Sequence, residues 1–309
     1  MNRIFKFALV GSLVLGLASC LKDKGFDDGK TGHDLTGVPK IIEIGFENES
    51  PTRKTFAFNF EDLSVERTIF YVRLAAGTVA TEDITVTLDT AGTYAGLRLI
   101  DTGYKPLPRT FYTTTPTSFT VTIPKGQSQV GVQLKTNAIQ FDPSTIYGLV
   151  YKIVSVTPPG YTISRNYGAY TVLFGAKNKY DGVYTMNSYH NRPGFQLLVK
   201  DEEMHMVTVG ANDVAFFWPQ ANSIGHPIMT AGGISWYGAA IAPTVRFNPV
   251  SNLVTDVYNT SATPISIYTG ALSGVGRYEP TTKKMYVYFR YAANDARAFM
   301  DTLTYVGPR

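Results

Sequence analysis

The chain has almost no cysteine, little charge and no basic run, and each scarcity removes a class of function. One cysteine, Cys20, stands among 309 residues. It has no partner for a disulfide, and a chain of this length buries enough core to do without one. His33, His190, His205 and His226 are scattered, none in the two-histidine spacing of a helical metal site. Asp27-Asp28-Gly29 lacks the further ligands of a calcium loop. No metal and no cofactor are therefore expected. Charged residues make up 17% of the chain, below the usual level of about a quarter. Lysine and arginine form no run, so the pI of 8.9 is no nucleic-acid footprint. A glycine-rich phosphate loop is missing. Gly233-Ile234-Ser235-Trp236-Tyr237-Gly238 is one residue too long for the nucleophile elbow of hydrolases. No repeat of solenoid or propeller period is found, and no apolar run after the N-terminal segment is long enough to cross a bilayer.

What is present begins with that N-terminal segment, MNRIFKFALVGSLVLGLASC. Arg3 and Lys6 precede an apolar run from Phe7 to Leu17, the pattern of an export signal. Small residues then lead to Cys20. The arrangement resembles the bacterial lipobox, in which the cysteine thiol takes a lipid after export and the signal is cut before it. An ordinary secretory signal with a chance cysteine is the plain alternative. The resemblance implies a signal peptide over 1–19 and a lipidated Cys20 that tethers the chain to a membrane. Removing Arg3 and Lys6 leaves 26 basic against 24 acidic side chains, a net charge of +2. Residues 20–37 hold the lipidated cysteine and LKDKGFDDGKTGHDLTG, too polar to build a core, and read as a flexible spacer.

From residue 38 the composition is that of an exported all-β protein, with 20 Tyr and 18 Phe among abundant Thr, Val and Gly. Strands are expected at Lys40–Phe46, Thr68–Leu74, Ile84–Leu88, Ser118–Ile123, Val130–Leu134, Ile146–Val156 and Tyr170–Phe174. Seven short strands joined by turns read as an immunoglobulin-like sandwich over 38–175. The irregular stretch 89–115 has room for a short helix or a long loop. Ala176-Lys177-Asn178-Lys179 is a polar break, and a second β domain follows over 176–309. Its strands, among them the alternating Lys284–Arg290, fit either a second sandwich or a calycin-like barrel.

The order of these parts carries a resemblance. An export signal with lipobox and a polar spacer lead to AAGTVATEDITVTLD and SFTVTIPKGQSQVGVQL. The second domain opens with KYDGVYTMNSYHNRPG and ends with DARAFMDTLTYVGPR. Together they resemble the Bacteroidota surface lipoproteins with an N-terminal domain of unknown function, commonly encoded in polysaccharide-utilisation loci. The resemblance implies an immunoglobulin-like first domain, an outer-membrane location facing the cell exterior and, loosely, glycan binding; a surface transporter complex is a further expected partner.

Carbohydrate binding needs flat aromatic faces for the apolar side of a sugar ring and nearby amides for its hydroxyls. Both tryptophans lie in the second domain. Trp218 ends a strand that runs into Pro219-Gln220-Ala221-Asn222, where Gln220 and Asn222 offer polar contacts. Trp236 and Tyr237 follow a Gly-Gly pair. These five are the candidate glycan-binding residues, against the plain alternative that each tryptophan fills the core. Tyr189-His190-Asn191-Arg192 is a further candidate rim. Glycoside hydrolysis would need two facing carboxylates. Glu202, Glu203 and Asp213 are the nearest candidates, but Asp201-Glu202-Glu203 reads more simply as a charged hairpin turn. No catalytic residue is therefore assigned. The remaining function class is an accessory or adhesion protein that binds a protein partner.

Overall fold

The computed structural model describes residues 40–46, 52–75, 79–195, 197–259 and 261–309. The export signal, Cys20, the spacer and His33 lie outside the described residues. The described chain is all-β apart from one short helix, and its buried apolar residues form two separate cores.

The first core lies between two sheets. Its strands are β1 (Ile41–Gly45), β2 (Arg53–Asn59), β3 (Ser64–Leu74), β4 (Ile84–Asp89), β5 (Lys105–Pro106), β6 (Tyr112–Thr115), β7 (Thr120–Ile123), β8 (Gln129–Asn137), β9 (Tyr147–Thr157), β10 (Thr162–Ile163) and β11 (Ala169–Lys177). One sheet runs β10-β1-β3-β8-β6 and the other β2-β11-β9-β4-β7. Alternation explains the sandwich: Ile84, Val86 and Leu88 of β4 point inward while the threonines between them face out. Phe70 lies 4.7 Å from Tyr151 across the interior, ring centre to ring centre. All seven expected strands are present. The sequence reading missed β2, whose RKTFAFN starts with two charges. It lies at a sheet edge, parallel to β11, and charged residues are how natural edges avoid further pairing. The irregular stretch contains a helix, α1 (Thr93–Arg98). It presses so closely on β9 that a Cβ at Gly148 would come within 2.5 Å of Leu97.

The second half is a barrel. Its strands are β12 (Gly182–His190), β13 (Leu198–Thr208), β14 (Asp213–Trp218), β15 (Ser223–Ile224), β16 (Pro227–Thr230), β17 (Gly233–Trp236), β18 (Pro243–Phe247), β19 (Val254–Asn259), β20 (Ile265–Ile267), β21 (Arg277–Glu279), β22 (Lys284–Tyr291) and β23 (Ala298–Gly307). The antiparallel order is β19-β18-β14-β13-β12-β23-β22-β20, with β21 continuing along β22 below β20. β20 and β21 thus share one position, broken by the loop 268–276. The sheet closes at that position: Leu253 bridges Arg277, Val254 N donates to Gly276 O at 2.9 Å, and Tyr278 N donates to Asn252 O at 2.8 Å. A few bonds, not a full ladder, make the seam. Alternation again sets the interior, with Met285, Val287, Phe289 and Tyr291 of β22 inside.

Asp201-Glu202-Glu203 is not a turn. It lies within β13, where Asp201 takes a left-handed φ of 50° beside a register shift against β12. The carboxylate cluster therefore decorates a bulge, whose extra residue strengthens local twist.

Candidate functional site

The barrel has two unlike ends. The near end faces the sandwich, at the start of β12. There Tyr180 stacks on Phe247 at 4.2 Å, and a cleft of about 480 Å³ is lined by Asn59, Glu61, Lys177, Asp181, Tyr278 and Lys283. Part of its charge is answered internally. Arg309 and Lys177 both reach Asp181, at 3.2 and 3.6 Å, and Lys179 donates to Pro249 O at 2.9 Å.

The far end is where the candidate residues collect. Between β14 and β18 the chain makes an excursion, and its β16-β17 hairpin packs over the barrel end. The hairpin closes at its neck, where His226 N donates to Ile241 O at 3.1 Å. The His226 side chain enters the barrel and is fully buried, among Phe216, Phe289 and Phe299. Its Nδ1 lies 2.7 Å from Pro227 O and its Nε2 lies 3.0 Å from Asp301 Oδ2, a carboxylate that is also fully buried. A carbonyl can only accept, so Nδ1 carries a proton and donates it. The contact at Nε2 then needs a second proton, shared with Asp301, and the pair is neutral as a unit. Ser188 stands opposite Asp301 in the ladder. Serine, histidine and aspartate thus meet, yet both imidazole nitrogens are committed elsewhere. Ser188 Oγ has no hydrogen-bond partner among the described residues, so the three side chains do not form the hydrogen-bonded relay of a nucleophilic triad.

Above this anchor the aromatic residues split into buried and accessible ones. Trp218 is only 4% exposed and belongs to the core. This corrects the reading of Trp218 as an open stacking face: the hairpin returns Trp236 onto it, edge to face at 5.9 Å. Gly225 makes room for that ring, since a Cβ there would lie 2.6 Å from it. Trp218 Nε1 and Gln220 Nε2 each donate to Glu202 Oε1 at 2.7 Å. Gln220 is exposed. Asn222, also exposed, caps the turn in a left-handed conformation with φ 48°. Trp236 and Tyr237 are half-buried.

Tyr237 connects this ledge to a polar chain that runs inward. Arg192 Nη1 donates to the Tyr237 hydroxyl at 2.9 Å, and Tyr291 donates to the same hydroxyl at 3.4 Å. His190 Nε2 lies 3.3 Å from the Tyr291 hydroxyl. The rim segment 189–192 is therefore part strand and part mouth: His190 ends β12 inside the barrel, and Arg192 stands outside it. His190 stacks on Phe299 at 4.2 Å and is 2% exposed. Burial, then the neighbouring His226 and Arg192, push it down to about 3. Sequence reasoning did not find His190, His226 or Asp301 as a group, because each is an isolated polar residue in an alternating strand or a loop.

The neutral His190 has a measurable consequence. The unfolded chain takes up a proton at this side chain below about pH 6.5 and the folded chain does not. Stability should therefore fall as pH drops from 6.5 towards 3. The expected contribution is on the order of 3 kcal/mol, after allowing for solvent relaxation. Urea unfolding of the native protein and of His190→Leu across this range checks it. The difference between their slopes should point this way, and parallel profiles would refute it.

Taken together, the chain is a β-sandwich followed by a barrel whose far end is stopped by a hairpin. Residues 39–160 match a family model described as "-like, N-terminal domain". No curated protein matches the chain. Among solved structures it is similar to a Bacteroides ovatus protein of unknown function, with 13% identity, 87% of this chain and 95% of that one covered, and a TM-score of 0.48. It is also similar to an auxiliary nutrient binding protein of Bacteroides thetaiotaomicron, at 11% identity, with 84% and 90% covered and a TM-score of 0.38. A third is a candidate carbohydrate binding protein of Bacteroides ovatus, at 12% identity, with 70% and 67% covered and a TM-score of 0.32.

Proposed function

We propose that the protein is a non-catalytic lipoprotein, held in the outer membrane through Cys20 and facing the cell exterior, that binds glycan in a polysaccharide-utilisation system. One observation carries the reading. At the barrel end away from the sandwich, half-buried Trp236 and Tyr237 follow one another, the Arg192 guanidinium donates to the Tyr237 hydroxyl at 2.9 Å, and exposed Gln220 lies two residues after Trp218, the ring on which Trp236 packs. Rings stack on the apolar faces of sugars, and amides and guanidinium groups bond their hydroxyls. The sandwich and spacer then act as a stalk. Tethering raises the effective concentration of bound glycan near a transporter without adding a contact.

Retardation of the protein in gels cast with a panel of polysaccharides tests this. One polysaccharide should retard it, and Trp236→Ala should remove that retardation with the fold intact. Trp218→Ala serves as a contrast, since its ring is in the core and its loss should lower stability first. No retardation on any polysaccharide would defeat the reading and turn the search to a protein partner.

A further inference from the structure

We propose that the ligand of this mouth is an acidic saccharide, bearing uronate carboxylates or sulfate esters, gripped by Arg192 and Arg297. The proposal rests on the glycan reading above and narrows it. Residues 178–309 contain six arginines. Four have a carboxylate partner: Arg246 with Asp213 at 2.8 Å, Arg277 with Glu279 at 2.6 Å, Arg290 with Asp295, and Arg309 with Asp181 at 3.2 Å. Among the described residues, Arg192 and Arg297 have none. These two, far apart in sequence, stand at the same end of the barrel, because β12 and β23 are ladder neighbours and His190 pairs with Phe299.

Their placement is specific. The Arg192 guanidinium carbon lies 4.8 Å from the centre of the Phe195 ring and 5.9 Å from that of Tyr237. That of Arg297 lies 5.9 Å from the Tyr291 ring centre. The Tyr237 and Tyr291 rings are themselves 5.7 Å apart. Two guanidinium groups therefore flank one pair of tyrosines. Both arginines are half-buried, so each has given up part of its hydration without the anion that usually repays it. Aromatic faces return some of that cost. Arg192 uses one of its N–H groups on Tyr237, and the planar fork of a guanidinium matches a carboxylate or a sulfate in a two-bond contact. The nearby acids do not compete: Asp295 is held by Arg290, and Glu202 by Trp218 and Gln220. A saccharide with a ring face for the aromatics and an anion for the arginines fits both features at once.

The test is affinity electrophoresis and calorimetry of the purified protein against polygalacturonate, chondroitin sulfate and the neutral polymers galactan and dextran, at low and high salt. An acidic polymer should bind, with affinity falling as salt rises. Comparing the carboxylate and sulfate polymers identifies the anion. Arg192→Gln and Arg297→Gln should each weaken binding about tenfold or more, as for loss of a charged hydrogen bond, while Arg→Lys at either position keeps part of it. Binding of a neutral polymer only, or acidic binding indifferent to both glutamine variants, overturns the acidic assignment and leaves glycan binding standing. No binding to any of the four polymers or to a wider panel overturns both.

Discussion

Replacing Asp301 with alanine should destabilise the barrel by about 3–5 kcal/mol, the cost of removing one member of a buried pair and stranding the other. His226 is then left with an Nε2 facing no partner in a pocket of three phenylalanines. His226→Leu should cost a similar amount by stranding the Asp301 carboxylate. The informative variant is the double one, His226→Leu with Asp301→Leu. Once neither polar group is buried, much of the loss should return, since buried pairs are often replaceable by packed hydrophobic residues. Both tryptophans lie at this end of the barrel, so tryptophan fluorescence during urea unfolding reports the relevant part directly. Single variants within 1 kcal/mol of the native protein would show that the pair does not anchor the hairpin.

On the lipoprotein reading proposed above, Cys20→Ala should have the largest effect outside the fold. Without the thiol there is no lipid attachment, and each acyl chain contributes roughly 0.8 kcal/mol per buried methylene. Two or more chains hold a protein stably where one does not. The variant should incorporate no labelled palmitate and should be lost from the outer-membrane fraction. Unchanged labelling and fractionation would dispose of the lipoprotein reading.

The sandwich was the most legible part of this sequence. Its strands bury alternate residues against one partner sheet, so local patterns such as ITVTL carry the whole signal. The edge strand Arg53–Asn59 escaped because its alternation, with Phe56 and Phe58 facing in, opens on two charged residues and offers only those two large apolar side chains. The far end of the barrel was legible only in part. Trp236, Tyr237 and Gln220 could be picked as candidates by residue type, but the burial of Trp218 depends on a hairpin that returns Trp236 to it. Asp201-Glu202-Glu203 has the composition of a turn and the conformation of a bulged strand, and only pairing with β12 separates the two. His226 and Asp301 are 75 residues apart. Arg192 and Arg297 come together only through the β12–β23 ladder. No local pattern announces such meetings, because register between distant strands is a property of the closed sheet.

The path of β12 bears on how the molecule carries load. The chain leaves the sandwich at the end of β11, Lys177, enters the barrel at Gly182 as β12 and ends that strand at His190 beside the mouth, with β12 hydrogen-bonded to β13 on one side and β23 on the other. On the proposed reading, a bound polymer dragged by flow would pull the mouth one way while the lipid anchor held the opposite end. That tension runs along β12, at right angles to its hydrogen bonds. The bonds on both flanks are then strained together in shear and not peeled one after another. With ladders on both flanks, β12 would resist such a pull better than an edge strand.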